Sequence, residues 1–465
     1  MWDCEKCTFI NFNTDAKECE MCFSSKYQVG SIQNPIVLDD EKVRTDNHFK
    51  RRKMDDSKTV TINEECFNQL IPNYNGTVVM TKVHNSKSKF TFKNLVEKSK
   101  LKKAFFSAFC IDDDWLFNQL PNDISVCIAR PKPNDVESNV TNITITPKIS
   151  FVFPTLKPMQ YGCMHVKLML LWYPEFLRVV VPSANLTEYC WNTIENIVFY
   201  QDFRKADSSR ELSEFGTDLK NLLVDMKVPS LVVGALNGYD FSNALGKLIV
   251  SKPGWHKQSQ LELFGHLRLK RVVSTLGLNL TNSMLTLQSS SMGGLNKKWC
   301  MEMCKSLTNT AEETNRINVL FPTEETVLKS FIGPENAETI CFQSKYWKSS
   351  FPKEYLRDCK SKCNGALMHA KTILVHQSRY LHDIVDRGIQ FIPTGDQDAH
   401  GYFYCGSHNA SQAAWGLRCI VRQEDCLKIH NWELGIVLKF RAGGSFQIPY
   451  QYPPPEYKST DKPWV

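Results

Sequence analysis

Two short stretches of the sequence carry the same reactive side chains at the same spacing. Met-His-x-Lys occurs at residues 164–167 and again at residues 368–371, each time running into an apolar stretch typical of a β-strand. Because side chains alternate along a strand, the His and Lys of each copy are expected to point to the same face. The duplication predicts one site assembled from two related halves of the chain.

A second shared pattern follows each copy. It consists of Ser-x-Asn and then Trp at a fixed distance, namely Ser183, Asn185 and Trp191 in the first copy and Ser407, Asn409 and Trp415 in the second. A Glu followed by apolar residues comes later in both copies, at Glu195 and Glu433. The spacing from His to Asn is 20 residues in the first copy and 40 in the second. We interpret the additional residues of the second copy as an inserted loop.

This set of residue types suits the chemistry of a phosphodiester. Lys and Asn side chains donate hydrogen bonds to non-bridging phosphate oxygens and stabilise the charge that develops on them. A neutral His can attack phosphorus, and a protonated His can give its proton to the leaving oxygen. Histidine fits both tasks because its ordinary pKa is about 6.5. Two packed halves would bring two of each residue type to one phosphate.

The composition permits a polyanionic partner without requiring one. The 465 residues include 56 basic and 49 acidic ones, which gives a net charge of +7. No apolar run of membrane-spanning length occurs and the start has no apolar signal region, so no membrane association is expected. The 17 cysteines are therefore interpreted as reduced thiols, or as metal ligands where the spacing fits.

The pattern along the chain predicts four regions. Residues 1–25 are rich in Cys, and residues 26–62 are polar and charged like a flexible linker. The remainder alternates apolar runs with Gly, Pro and Asn, as in an α/β protein. We divide it into a first catalytic half, residues 63–265, and a second, residues 266–465.

The doubled motif resembles the phospholipase D superfamily, whose members usually carry an Asp five residues after the Lys. Trp172 and His376 occupy those positions here. Loss of both Asp residues resembles the tyrosyl-DNA phosphodiesterase branch, the enzymes that clear topoisomerase I from DNA 3′ ends. Segments such as FGHLRLKRVV, SSSMGGLNKKW and the terminal PYQYPPPEYKSTDKPWV are also similar to that family. The likeness implies two pseudo-symmetric halves, each a mixed sheet flanked by helices.

The resemblance also implies a role for each motif residue. His165 would be the nucleophile that forms a phosphohistidine, and His369 would be the general acid and later the base. The groups that hold the phosphate oxygens would be Lys167, Lys371, Asn185 and Asn409. Glu433 would orient and polarise His165. No metal is implied for this chemistry.

The partner of His369 is left open by the sequence. Spacing from Trp191 favours Asn196, whereas the internal repeat favours Glu195, and the family often has Gln at this point. Tyr161 stands where the family places an aromatic that stacks on a DNA base. The hydroxyl groups of Ser289, Ser290 and Ser291 are candidate DNA-phosphate contacts, and a plain polar turn is the alternative.

The N-terminal region predicts a zinc finger. Two thiolate pairs with spacing suited to tetrahedral zinc are formed by Cys4, Cys7, Cys19 and Cys22. Trp2 and Asn11 resemble the Ran-binding-protein class of finger. Its ubiquitin-binding subclass is favoured by Thr8, Phe9 and Met21, and the alternative is a purely structural zinc knot.

Two short patterns lie in the linker. Ile36, Val37 and Leu38, followed by acidic residues, resemble a SUMO-interacting motif. The basic run at residues 50–53 is typical of a nuclear import signal, or of a solvated charged segment.

We therefore predict a nuclear DNA-repair phosphodiesterase that acts on 3′-phosphotyrosyl bonds and related 3′ blocking lesions. Its partners would be single- or double-stranded DNA 3′ ends, a topoisomerase I remnant, ubiquitin and SUMO. The alternatives are another nuclease or lipid phosphodiesterase of the superfamily and a catalytically weak scaffold recruited by ubiquitin.

Overall fold

The computed structural model describes residues 2–3, 10–11, 71–159, 161–206, 211–310, 317–348 and 350–465. The predicted zinc ligands, the predicted ubiquitin-binding face and the linker at 26–62 lie outside these residues. Near the N-terminus, strands β1 (Trp2–Asp3) and β2 (Ile10–Asn11) pair antiparallel, with Trp2 opposite Asn11.

The first large sheet is built from strands between Thr77 and Arg204. Its strands are β3 (Thr77–Met80), β4 (Lys103–Ser107), β5 (Ser125–Ala129), β6 (Asn142–Thr146), β7 (Ile149–Val152), β8 (Leu168–Trp172), β9 (Phe176–Pro182) and β10 (Ile197–Arg204). Their order across the sheet is β3-β10-β9-β8-β4-β5-β7-β6. The pairs β4/β5 and β5/β7 are parallel and the rest antiparallel, so the sheet is mixed.

The second large sheet is also mixed and takes most of its strands from the second half. Its strands are β11 (Gly246–Ser251), β13 (Ser283–Gln288), β15 (Ile317–Phe321), β17 (Leu356–Asp358), β18 (Thr372–Gln377), β19 (Ile389–Ile392), β20 (Gly401–Gly406) and β23 (Glu433–Ala442). The order is β11-β23-β20-β18-β13-β15-β17, and β19 also pairs with β23. The predicted division falls after residue 265, whereas β11 pairs with β23 and so lies in the second sheet.

Helices and small sheets complete the described chain. The helices are α1 (Asp113–Asn118), α2 (Glu188–Asn192), α3 (Glu214–Asp225), α4 (Ser230–Gly234), α5 (Gly265–Ser274), α6 (Lys297–Thr308), α7 (Glu324–Leu328), α8 (Leu381–Arg387) and α9 (Gln412–Trp415). A three-stranded sheet contains β12 (Gly254–Lys257), β21 (Leu417–Val421) and β22 (Glu424–Ile429). The short strands β14 (Ser291–Met292) and β16 (Cys341–Phe342) pair with each other.

The two large sheets pack face to face over a shared core. Alternate residues of β9, such as Leu177 and Val179, lie in one buried cluster with Phe403 and Ile436 of the second sheet. Val180, on the other face of β9, lies in a separate cluster with residues of α1 and α2. The central strands are therefore mostly apolar, because both of their faces are covered, and the buried Arg178 of β9 is paired with Asp202 of β10. The predicted α/β class, with mixed sheets flanked by helices, is confirmed.

The additional residues between His369 and Asn409 are structured. They contain α8 and β19, and β19 lengthens the second sheet by pairing Ile389 with Ala442 of β23. The interpretation of this segment as a loop was therefore wrong. Its apolar residues Ile384, Ile389 and Ile392 are buried, which explains why the segment folds onto the sheet. In the part of the chain that the structure describes, no helix is long and apolar enough to span a bilayer.

Candidate active site

The two His-x-Lys motifs lie immediately before the equivalent strands β8 and β18. Each motif is tied to the opposite half of the protein by its own backbone. The His165 N–H donates to the Trp432 carbonyl at 2.9 Å, and the His369 N–H donates to the Glu195 carbonyl at 2.8 Å. These reciprocal bonds bring both motifs to one junction between the two sheets.

The two Asn residues of the repeat occupy equivalent strand-to-helix turns. Asn185 lies between β9 and α2. Its backbone carbonyl accepts a hydrogen bond from Trp191 Nε1 at 2.9 Å, and its side-chain Oδ1 accepts from the Cys110 N–H at 3.3 Å. Asn409 lies between β20 and α9, and its side-chain Oδ1 accepts from Ser289 at 3.2 Å and from Ser290 at 3.4 Å. Hydroxyl caps start both helices, which fixes where each turn ends. The Asn side chains are thus held beside the strands that follow the His motifs.

A buried carboxylate holds His165. The Nδ1 atom of His165 lies 2.7 Å from Glu433 Oε2, and the Ser407 hydroxyl donates to the same oxygen at 2.5 Å. The amide of Asn431 donates to Glu433 Oε1 at 3.0 Å. An ionised carboxylate can only accept, so His165 carries its proton on Nδ1. Its Nε2 therefore keeps a lone pair for chemistry.

The charge states of this pair follow from burial and proximity. Burial lowers the pKa of His165 to about 4, although Glu433 opposes the shift. Burial would raise the pKa of Glu433, but His165, His408 and Lys167 outweigh it and lower the pKa to about 2. At neutral pH the substrate-free site thus holds an ionised carboxylate against a neutral imidazole, which is the form of His that can attack phosphorus.

A neutral amide holds His369. Its Nδ1 lies 3.0 Å from Asn196 Oδ1, which also accepts from Ser183 at 2.8 Å. The Asn196 NH₂ donates to the carbonyls of Cys190, at 2.7 Å, and Ile194, at 3.1 Å. These two bonds fix which end of the amide faces His369. His369 therefore also carries its proton on Nδ1.

The structure places Asn196, and not Glu195, against His369. The pseudo-symmetric equivalent of Glu433 is Asn196, because Ser183 and Ser407 bond to them in the same way. Glu195 is equivalent to Trp432, since each gives its carbonyl to the His of the other half. The Glu195 carboxyl instead accepts a hydrogen bond from Ser361. An alignment of the two repeat copies that places Glu195 opposite Glu433 is therefore wrong by one residue.

The surroundings of His369 favour loss of its proton. Burial lowers the pKa of His369 well below its ordinary value, and the nearby charges of Lys371, Lys167 and His165 lower it further. No carboxylate compensates, because Asn196 is uncharged. An imidazolium formed here would therefore be a strong proton donor.

The two motif lysines are fully buried. Lys167 and Lys371 both have a relative exposure of 0%. Lys167 Nζ donates to the His165 carbonyl at 3.2 Å, and Lys371 Nζ donates to the His369 carbonyl at 2.5 Å. Burial lowers the pKa of Lys167, and burial together with Lys167 lowers the pKa of Lys371 strongly. A bound phosphate anion would offset both effects. The pair thus suits an anionic ligand.

The other predicted contacts lie in different environments. Tyr161 is 53% exposed, and its backbone carbonyl accepts from His430 at 2.7 Å. Ser289 and Ser290 are buried against Asn409, whereas Ser291 is half-buried in β14. The three serines therefore support the second-half turn, and Ser291 is the most accessible of them.

Several residues of the site carry no separate signal in the sequence. Ser183 and Ser407 were recognised as parts of the repeat but not as partners of Asn196 and Glu433. Their constant place two residues before Asn was the available signal. Phe109, whose ring meets His165 edge-on at 5.6 Å, comes from a distant strand end that no spacing connects to the motif. Among the residues the structure describes, no group of three or more His, Cys, Asp or Glu could hold a metal ion.

The sequence comparisons with known proteins agree on one family. A model of the family Tyrosyl-DNA phosphodiesterase matches residues 73–458. Tyrosyl-DNA phosphodiesterase 1 of Arabidopsis thaliana is 26% identical over 362 residues, which are 72% of this chain and 56% of that protein. A probable tyrosyl-DNA phosphodiesterase of Caenorhabditis elegans is 23% identical over 394 residues, 77% of this chain and 80% of that protein. The match therefore spans just over half the length of the Arabidopsis relative.

Solved structures show the same fold. The yeast tyrosyl-DNA phosphodiesterase superposes with a TM-score of 0.63 at 16% identity, covering 84% of this chain and 99% of that chain. A substituted form of the yeast protein gives 0.65 at 16% identity, covering 83% and 98%.

Proposed function

This chain belongs to the tyrosyl-DNA phosphodiesterase family, and we propose on this basis that it hydrolyses 3′-phosphotyrosyl bonds in DNA repair. The substrate would be a DNA 3′ end joined to a tyrosine of a topoisomerase I remnant, or a related 3′ blocking group. The main supporting observation is the pair of buried imidazoles, one held at Nδ1 by Glu433 and the other by Asn196. Both leave Nε2 for a phosphate placed between them.

In the first step, His165 Nε2 attacks phosphorus and the bond from phosphorus to the tyrosyl oxygen breaks. His369 gives its Nε2 proton to that oxygen, so tyrosine leaves as a neutral phenol. His165 becomes positively charged at this point, and the ionised Glu433 stabilises it. The charge that develops on the phosphate oxygens is met by Lys167, Lys371 and the two Asn amides.

In the second step, neutral His369 takes a proton from water, and the resulting hydroxide attacks the phosphohistidine. The phosphorus–nitrogen bond breaks, and DNA with a 3′-phosphate leaves. His369 ends this step protonated and ready to act as the acid in the next cycle. One residue thus performs both proton transfers, in opposite directions.

A substrate panel tests this proposal against its rivals. The protein is expected to release tyrosine from a 3′-tyrosyl oligonucleotide, and to act much more slowly on plain DNA and on phosphatidylcholine. Preferential hydrolysis of phosphatidylcholine or of internal DNA phosphodiesters would indicate another activity of the superfamily. Absence of any cleavage by folded protein would favour the scaffold alternative.

We also propose that catalysis uses no metal ion. The support is that buried Lys167 and Lys371 supply the positive charge that a Lewis acid would otherwise provide. Turnover of the 3′-tyrosyl oligonucleotide is therefore expected to survive EDTA. Loss of turnover in EDTA, with recovery on addition of magnesium, would contradict this part of the mechanism.

We further propose that the N-terminal region is a zinc finger that binds ubiquitin. The thiolates of Cys4, Cys7, Cys19 and Cys22 suit zinc by spacing. The paired strands β1 and β2 flank the first Cys pair in sequence. Ubiquitin would contact Thr8, Phe9 and Met21, and zinc would contribute folding energy to a unit too small to fold on a core alone.

A double substitution separates the finger from catalysis. Thr8→Ala combined with Phe9→Ala is expected to abolish ubiquitin binding in an NMR titration while zinc content is kept. The variant should cleave short tyrosyl oligonucleotides normally and lose rate selectively on ubiquitylated peptide adducts, because tethering raises local substrate concentration. Unchanged ubiquitin affinity would contradict the assignment of this face.

The linker patterns support two more proposals. Residues 36–38 with the following acids would add an edge strand to SUMO, and residues 50–53 would direct the protein to the nucleus. Replacement of Lys50 to Lys53 by Ala is expected to shift a fluorescently tagged protein out of the nucleus. An unchanged distribution would argue against this import signal.

A further inference from the structure

A continuous row of aromatic and basic side chains leads away from the catalytic junction. It starts at Tyr161, whose carbonyl accepts from His430 Nδ1 at 2.7 Å. The turn at Gly162 packs directly on the same residue, because a Cβ there would lie 2.1 Å from the His430 carbonyl oxygen. Lys428 lies two residues before His430. Burial lowers the pKa of His430, the hydrogen bond to the Tyr161 carbonyl opposes this shift, and the charge of Lys428 adds to it.

The row continues onto the outer face of the three-stranded sheet. Lys428 is directly opposite Trp255 in the pairing of β12 with β22, so both side chains lie on one face. The Lys428 Nζ lies 4.8 Å from the centre of the Trp255 ring, and this ring is 44% exposed. On the opposite face of the same sheet, Leu427 is buried against Leu267 of α5.

The charges of this sheet favour a polyanion. Its two acidic residues are already neutralised, Glu424 by Lys257 at 3.1 Å and Asp425 by Arg418 at 2.8 Å. Within the described parts of the chain, Lys428 and Arg422 have no acidic side chain at salt-bridge distance. An exposed indole beside a lysine is the combination that binds single-stranded nucleic acid, where a base stacks and the cation meets a phosphate.

We propose that Trp255 and Lys428, with His430 and Tyr161, form a track for the single DNA strand that ends at the scissile phosphate. Tyr161 holds a base near the 3′ end, and Trp255 stacks on a base farther from it. Lys428 and His430 are two residues apart, about 6.6 Å along an extended chain, and Trp255 lies opposite Lys428, so Trp255 would meet a different base from the one at Tyr161. This proposal rests on the proposed function and names the part of the substrate that the protein recognises.

The test compares substrates that differ only in length. Thymidine bearing a 3′-(4-nitrophenyl) phosphate is compared with an oligothymidylate of about six nucleotides bearing the same group. Trp255→Ala is expected to lower the ratio of kcat/KM for the long over the short substrate about tenfold, because one stacked base is lost. Trp255→Phe should restore most of this ratio. In Lys428→Ala, the ratio should depend less on salt concentration than in the wild type.

Ile420→Ala is the matched control. Ile420 is 75% exposed on β21 of the same sheet, but it points to the opposite face from Lys428. This variant is expected to keep the wild-type ratio. An equal fall of the ratio in Ile420→Ala and Trp255→Ala would show that a general disturbance of the hairpin is responsible, which would overturn the track.

Binding measurements separate failure of this track from failure of the proposed function. In His165→Ala protein, a 3′-phosphorylated oligothymidylate should quench tryptophan fluorescence, and most of the quenching should vanish when Trp255→Phe is added. If wild-type protein cleaves neither substrate, the proposed function fails, and this quenching alone decides the track. An unchanged ratio with unchanged quenching, or no quenching by the oligothymidylate, would overturn it.

Discussion

The two halves of the site share one frame but differ in the side chain that holds the His. In both, a Ser hydroxyl donates to the group that holds the catalytic His, and the strand that follows donates back to this hydroxyl at 3.0 Å. The group itself is the carboxylate of Glu433 for His165 and the amide of Asn196 for His369. Duplication thus supplied the geometry, and one side-chain change separated the electrostatics.

This difference suits the two identical side chains to the opposite tasks that the proposed mechanism gives them. In the proposed mechanism, a carboxylate would stabilise the positive charge that His165 acquires on attacking phosphorus. An amide fixes the His369 tautomer equally well but does not stabilise an imidazolium, so the proton is released readily to a leaving group. A nucleophile and an acid can therefore be made from the same motif. The predictions below test this division of roles, from the largest effect to the smallest.

Removal of each imidazole should give different failures. His165→Ala is expected to lower kcat by about 10⁴-fold or more, because the nucleophile is lost. His369→Ala should lower turnover by about 10²- to 10⁴-fold, since a phenol leaves without much protonation but the phosphohistidine then lacks its base. Denaturing gels with labelled tyrosyl oligonucleotide should show a covalent adduct with His369→Ala and none with His165→Ala. The reverse pattern would exchange the roles of the two halves.

Removal of the charge on Glu433 should weaken the nucleophile without moving it. Glu433→Gln keeps an acceptor for His165 Nδ1 but cannot stabilise the phosphohistidine cation. We expect the rate of adduct formation to fall about 10- to 100-fold, a loss of about 1.4–2.8 kcal/mol of transition-state stabilisation. Rapid-quench kinetics of a single turnover measure this step. Adduct formation at the wild-type rate would mean that Glu433 acts only by position.

A carboxylate introduced beside His369 should make its surroundings resemble those of His165. Asn196→Asp places a negative charge on His369 and so raises its pKa, which lies well below the ordinary value in the wild type. Cleavage needs His369 protonated, so the falling limb of the pH profile of single-turnover cleavage should move to higher pH. The stronger hold on the proton should also lower the plateau rate several-fold. Asn196→Gln, which adds no charge, is the control and should leave the limb in place.

The two Ser residues offer a matched measurement of stability. Ser407→Ala removes a hydrogen bond to a charged group, typically worth about 1.5–3 kcal/mol, whereas Ser183→Ala removes one to a neutral amide, about 0.5–1.5 kcal/mol. Each change also leaves one equivalent backbone N–H without its partner. The difference between the two losses in urea unfolding therefore reports the charge on Glu433. Equal losses would contradict the ionised state of this residue.

The sequence pointed to most of the residues that meet at the junction of the two sheets because they are repeated. His165 and Lys167 have counterparts at the same spacing in the second copy, and Asn185 has one that follows the inserted segment. A repeat of this kind can be recognised before the fold is known. Phe109 and Ser361 have no counterpart and lie near no motif, so only the packed chain connects them to the site. The α/β class and the family were also predicted correctly, the class from the alternation of apolar runs and the family from the ordered motifs.

The partner of His369 illustrates what could not be predicted from the sequence alone. Glu195 and Asn196 are adjacent, and neighbouring residues at a strand end point in opposite directions, so an error of one position reverses the assignment. The reciprocal hydrogen bonds between the halves set this register, and they form only when both sheets are in place. The segment between His369 and Asn409 is a similar case, since its short apolar runs become α8 and β19 only by packing on β23.

The sequence by itself determined which groups are candidates for the proposed chemistry, because a reactive side chain is a local property and its duplication can be read from the order of residues. Tertiary structure decided which group each imidazole faces and therefore its charge. Burial and the distances to Glu433, Lys167 and Lys371 shift the pKa values of the two His residues, and those distances exist only between segments that lie up to 268 residues apart in the chain. Identical motifs consequently acquire different tasks through their surroundings.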